Sequence, residues 1–183
     1  MRISEDRYRR ELLGIEIALR FLQHEARTRT IRAWTGLSCD RIRNLYRSYV
    51  QEAPDYVPRH RGKSPHQITY FTRTQRMQEE TATLARLLSL LGAIPPAPGS
   101  ERTPVLPNLA RGRLVCYAFE LYKAQVPSAQ ISFEHTIFLT TSLIRADQMM
   151  LGNCPECGGL VVIERLSVRP RRCIHCSFGG KRA

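Results

Sequence analysis

Apolar side chains recur along most of this chain at intervals of three and four residues, the spacing that gathers them on one face of an α-helix. Between Arg7 and Ala26 the stripe is Tyr8, Leu12, Ile15, Leu19 and Leu22, with Arg9, Glu16 and Arg20 on another face, which predicts an amphipathic helix that packs its stripe into a core. The stretch from Thr30 to Ser38 then reads as a corner. Gly36 suits the left-handed conformation that ends a short helix, and Ser38 suits the cap of the next. The following turns are expected to bury Ile42, Leu45, Tyr46 and Tyr49, leaving Asp40, Arg43, Asn44 and Arg47 together on the outer face. Helical spacing returns from about Ile68 to Leu91, with Leu84, Leu87, Leu88 and Leu91 as its apolar edge. Two more helices are expected, one with the stripe Leu114, Val115, Ala118, Leu121 and Tyr122, the other with Phe133, Ile137, Leu143 and Ile144. Pro54, Pro58 and Pro65 interrupt the chain around a basic loop of Arg59, His60, Arg61 and Lys63, and the proline-rich run from Ala93 to Ser100 reads as a surface loop.

The periodicity stops at Gly152, and cysteine spacing takes over. Cys154, Cys157, Cys173 and Cys176 form two C-x-x-C knuckles fifteen residues apart, the pattern of a four-thiolate zinc site. Each knuckle aims two sulfurs at one ion, and residues 158–172 are long enough to run out and return as a hairpin. Two disulfides or an iron-sulfur cluster are the alternatives. Arg2, Glu5, Asp6, Arg7, Arg9 and Arg10 follow Met1 with no apolar run, so no signal peptide is expected, a reducing, cytoplasmic setting is favoured, and disulfides are disfavoured. Runs of three closely spaced cysteines, as in cluster proteins, are absent. Four sulfurs fill a tetrahedral zinc, so one such ion per chain is expected to build structure and not to hydrolyse. A zinc deaminase would need H-x-E upstream and proline before the first knuckle, where His135-Thr136-Ile137 and Asn153 stand. His175, inside the second knuckle, reads as a surface histidine. The expected fold is mainly α: a helical domain over 1–151, with a helix-turn-helix-like segment at about 28–50, and a small four-cysteine zinc-ribbon-like module over 152–183. Cys39 and Cys116 read as reduced thiols, Cys116 in the core.

Charge narrows the partner. The formal net charge is +12 and the pI about 10, with arginine dominating the basic residues. Arginine's planar fork grips phosphate and guanine, so a nucleic acid is the expected polyanion. No stretch of eighteen apolar residues is present and no basic block, so membrane association is not expected. Gly62-Lys63-Ser64 lacks the preceding glycine of a phosphate-binding loop, because Val57 stands there. With no paired catalytic carboxylates and no nucleophile beside a base, the chain is expected not to be an enzyme. A helix, a glycine-containing turn with Leu37 after Gly36, and a helix presenting arginine and asparagine resemble a helix-turn-helix, although Arg32 stands where that pattern favours a small residue.

Leu37 to Tyr46, the Y-A-F-E-L-Y segment from Tyr117 to Tyr122 and the C-P-E-C-G-G knuckle from Cys154 to Gly159 together resemble the FlhC family of flagellar master transcriptional activator subunits. That resemblance implies zinc on Cys154, Cys157, Cys173 and Cys176, and assembly with the small helical FlhD protein into a heterohexamer. It further implies binding and bending of promoter DNA to recruit RNA polymerase. The expected DNA contacts are Arg43, Asn44 and Arg47 on the helix, with Arg171, Arg172, Lys181 and Arg182 around the metal; Arg171 and Arg172 would alternatively offset the charge of the thiolates. The short tail after Cys176 and the composition of residues 56–78 depart from the family, as expected of a divergent paralogue. The competing expectation is a zinc-stabilised protein-interaction or RNA-binding module without sequence-specific DNA binding.

Overall fold

The computed structural model describes residues 2–51, 58, 62–95, 108–167 and 171–178, with side chains for all of these except residues 2–4 and 178. Pro54, the loop residues Arg59, His60 and Arg61, most of the proline-rich run, and the expected DNA contacts Lys181 and Arg182 lie outside the described residues. The fold is mainly helical. In order it comprises α1 (Arg2–Gln23), α2 (Thr28–Thr35), α3 (Cys39–Tyr46), a π turn (Arg47–Gln51), a 3-10 turn (Ile68–Phe71), α4 (Gln75–Leu90), α5 (Asn108–Gln125), α6 (Phe133–Arg145), β1 (Met149–Asn153), β2 (Leu160–Glu164) and α7 (Ile174–Phe178). Two compact units divide the chain: 1–64 with 106–116, and 65–105 with 117–183. The expected division between 151 and 152 falls inside the second unit.

In the first unit, α1 packs against α2 and α3. Its buried face is Gly14, Ile17, Ala18, Phe21 and Leu22, which shares only Leu22 with the stripe expected from periodicity. Tyr8 is 62% exposed, Leu12 is 49% exposed, and Ile15 and Leu19 are only half-buried. Small residues make up part of this face: Gly14 and Ala18 are buried, and a Cβ on Gly14 would stand in ordinary contact, 3.8 Å from the Thr35 carbonyl oxygen. Gly112 of α5 is a closer approach, since a Cβ there would lie 3.2 Å from Ile17 Cγ2 and 3.5 Å from Trp34 Cε3. Trp34 and Phe21 complete this core with ring centroids 5.9 Å apart.

The second unit departs from the expected continuous helix over 68–91. A 3-10 turn comes first, the chain resets at Thr72, and α4 starts on the Thr74 cap, whose Oγ1 accepts from the Met77 N–H at 3.2 Å. Gln78 Nε2 donates back to the Thr72 carbonyl at 2.8 Å, which fixes the break. In α5 the buried residues of this unit are Ala118, Phe119 and Tyr122, whereas Leu121 is 44% exposed and Leu114, on the first unit's half, is half-buried, so the expected stripe is again only partly interior. α6 starts on the Ser132 cap and buries Phe133, Ile137, Leu139 and Leu143. β1 and β2 pair antiparallel with Met149 opposite Glu164 and Asn153 opposite Leu160. α4 packs against β2 and α6 against β1, so the hairpin carrying the first knuckle stands on a helical platform.

Candidate functional site

The hairpin's register places the first knuckle. Residue 153 is the last of β1 and residue 160 the first of β2, so Cys154 to Gly159 form the connecting turn. The Cys154 N–H donates to the Gly159 carbonyl at 2.8 Å and the Gly158 N–H to the Cys154 carbonyl at 2.9 Å. Gly158 has φ +70, the left-handed conformation that turns the chain after Cys157. The second knuckle is seated on α7: the Cys176 N–H points at Cys173 Sγ at 3.4 Å, and the Ser177 N–H donates to the Cys173 carbonyl at 2.9 Å. Together the two turns bring all four sulfurs within 4.8 Å of one another, with Cys157 and Cys173 at 3.5 Å. A tetrahedral zinc with bonds of about 2.3 Å needs sulfurs about 3.8 Å apart, so the four fit a single ion.

The electrostatics point the same way. Cys154 is buried, and its thiol is pulled down to about 6 by the backbone N–H of Cys173, with further N–H groups of Cys157 and Glu156. For Cys157 the Gly159 N–H is the strongest single influence and lowers the thiol, but the hydrogen bonds with Cys173 and Cys154 together with desolvation outweigh it, and the thiol rises. Cys176 is driven up by its sulfur neighbours Cys173 and Cys157. Four thiols so close do not all ionise unaided, whereas a soft divalent cation removes that obstacle. Arg172 pairs with Glu156 at 2.9 Å, and Arg171 Nη1 lies 3.5 Å from the Val162 carbonyl. His175 is exposed and outside the four-sulfur group. A cleft of about 1000 Å³ opens between α4 and this module, with Arg86, Arg171 and Arg172 on its walls.

The first unit holds the other expected site. Gly36 ends α2 at φ +74 with its N–H on the Arg32 carbonyl, and Ser38 caps α3 by accepting from the Arg41 N–H at 3.3 Å. Helix α3 buries Ile42 and Tyr46, and Asp40, Arg41, Arg43, Asn44 and Arg47 are all exposed. Tyr49 is not buried as expected but 64% exposed, because the π turn widens the helix and Val50 takes the place above Tyr46. Asp40 holds Arg43 at 2.6 Å, and Glu11 holds Arg41 at 2.6 Å. Arg41 and Tyr49 were not expected contacts, and their exposure beside Asn44 and Arg47 adds them to the candidates. Arg43, Asn44 and Arg47 thus share one face of the first unit, while Arg171 and Arg172 lie beside the cysteines of the second.

The chain matches no protein-family model and no curated protein. No described helix is long and apolar enough to cross a membrane.

Proposed function

We propose that this chain is a DNA-binding transcription activator subunit of the FlhC type, held together by one structural zinc and without catalysis of its own. The observation that carries the proposal is the corner at Gly36, which presents Asp40, Arg43, Asn44 and Arg47 on one exposed helical face. Arginine pairs with guanine and asparagine with adenine in the major groove, so α3 supplies base contacts. Arg171 and Arg172 supply phosphate contacts; each is partly exposed, and the Arg172–Glu156 pair is an accessible one that a phosphate can displace. Zinc on Cys154, Cys157, Cys173 and Cys176 contributes folding energy to a module too small to hold itself. The resemblance to FlhC supplies the remaining roles: a helical FlhD partner, flagellar promoters as targets, and RNA polymerase as the recruited enzyme, in the cytoplasm.

The test is binding of the zinc-loaded chain, alone and with FlhD, to flagellar promoter fragments between 50 and 200 mM salt. Affinity should fall steeply with salt. Asn44→Ala and Arg47→Ala should each lower specific affinity by about 1–3 kcal/mol, while Arg172→Ala should weaken all sequences alike. Salt-insensitive binding, or unchanged footprints for the α3 variants, would refute the proposal. A second function, RNA or protein binding through a zinc-stabilised module, is favoured by the commitment of Arg41 and Arg43 to Glu11 and Asp40. Competition by duplex RNA distinguishes the two, because its deep, narrow groove excludes a helix.

A further inference from the structure

Every residue of α1 from Glu5 to Leu12 is exposed, so about two turns of this helix lie outside the core that begins at Gly14. A polar helix would need no explanation there. This one carries Tyr8 and Leu12, continued by the half-buried Ile15 and Leu19, at spacings of four, three and four. On a helical net that stripe is centred roughly 140° from the buried Gly14, Ile17, Ala18 and Phe21 face. α1 therefore has two apolar faces, of which its own unit covers one.

We infer that the second face pairs with the same face of a second copy of this chain, the two α1 helices lying antiparallel. The stripe has the spacing of a coiled-coil seam, and the charges beside it decide partner and direction. Antiparallel packing that sets Tyr8 against Leu19 of the other copy, and Leu12 against Ile15, brings Arg9 opposite Glu16 on both sides of the two-fold axis. A parallel pair would instead bring Glu11 of one helix beside Glu16 of the other, two like charges. Both charges are accessible for the exchange. Arg9 is 73% exposed and pairs along its own helix with Glu5, and Glu16 is 46% exposed opposite Arg113. The seam is short, so the dimer is weak alone, with a dissociation constant on the order of 10 µM. If α3 reads DNA as proposed above, two copies so joined would present two α3 helices to a two-fold related pair of half-sites. The dimer itself does not depend on that role.

Sedimentation equilibrium of the zinc-loaded full chain without DNA, from 1 to 100 µM, reads the association directly. Self-association should appear in that range, and Leu12→Asp should weaken it more than tenfold while leaving the helical circular dichroism of the monomer, read below 1 µM, unchanged, because Leu12 is 49% exposed. Arg9→Glu and Glu16→Lys should each weaken association about tenfold, whereas an equimolar mixture of the two variants should recover it. In the mixed dimer the carboxylate introduced at position 9 faces the ammonium introduced at position 16, and the native Glu16 of the first variant faces the native Arg9 of the second. In neither homodimer do opposite charges meet. A chain monomeric throughout, an Arg9→Glu variant that dimerises normally, a mixture that recovers nothing, or a monomer that uses Tyr8 and Leu12 only to take up a different helical protein would each overturn the proposal.

Discussion

Replacing Glu80 by alanine should destabilise the second unit more than any other single polar substitution on α4. Its carboxylate is only 3% exposed, yet accepts from the Arg76 Nε at 2.9 Å, the Gln130 backbone N–H at 2.8 Å and the Tyr122 hydroxyl; the Tyr122 oxygen in turn accepts from the Ile131 N–H at 3.2 Å. This single acid therefore ties α4 to α5 and to the segment leading into α6. Burial alone would raise its pKa, but hydrogen bonds from Tyr122, Arg76 and the backbone outweigh burial and hold it below the usual glutamate value. Alanine strands the Tyr122 hydroxyl and the Gln130 N–H at about 1–3 kcal/mol each, whereas Arg76, 47% exposed, regains water and adds little. The sum is about 4 kcal/mol, and with a urea dependence of about 2 kcal/mol per molar the midpoint falls by about 2 M. Glutamine keeps one acceptor oxygen and should lose about half as much. The sign of the pH dependence follows from the lowered pKa: the stabilisation is complete above the unfolded value near 4.5 and is lost as pH falls through the lower folded value. Urea unfolding followed by circular dichroism, with the zinc-loaded chain at neutral pH and the metal-free chain both at neutral pH and near pH 3, measures both when Glu80→Ala is compared with the native chain under each condition. A midpoint shift below about 0.5 M for Glu80→Ala would show that the donors find other acceptors, and the tie between helices would lose its basis.

Three further outcomes follow from local geometry. Gly36→Ala puts a side chain at φ +74, where an added Cβ meets nothing within 4 Å, so its cost is backbone strain alone, about 1 kcal/mol in thermal unfolding of the first unit; a loss of several kcal/mol would mean the corner depends on more than conformation. Gly152→Ala sets a Cβ 2.3 Å from Ile163 Cδ1 and should lower stability by about 1–3 kcal/mol. Ile163→Val deletes that methyl and should restore part of the loss, and a double variant no better than the single would place the strain in the backbone. Chelation at neutral pH, or acidification that protonates the thiolates, should abolish hydrogen-exchange protection in β1 and β2 and leave α1 to α3 protected; equal loss in both units would show that the metal supports the whole fold.

The sequence made legible whatever depends on local chemistry. Gly36 and Ser38 announced the corner because a left-handed residue and a side-chain cap are properties of single positions, and the four cysteines announced their cluster because two short turns suffice to aim the sulfurs. Ser132 and Thr74 are comparable caps, and only the tertiary contacts show that Thr74 starts a helix that periodicity would begin at Ile68. The Glu80 network carried no signal, since a glutamate between polar neighbours on α4 looks like any exposed acid until residues 122 and 130 are brought beside it. Tyr49 misled for a related reason: the π turn over Arg47–Gln51 breaks the helical count, burying Val50 and leaving Tyr49 outside.

The misplaced stripe on α1 has a physical reason. Periodicity counts large apolar residues, and a helix packed through small ones hides its contact face from that count. In α1 the buried Gly14 and Ala18 lie between Ile17, Phe21 and Leu22, so part of the close-packed face is invisible to that count. In α5 the displacement is smaller: Val115, Ala118 and Tyr122 of the expected stripe are buried with Gly112 and Phe119, while Leu121 stands exposed. Tyr8 and Leu12 stand mostly outside the core and Ile15 and Leu19 only partly inside it, so the stripe is the face of α1 left for the partner proposed above. The charges flanking that stripe are matched to their own antiparallel image, so the partner with the required pattern is another copy of the same helix.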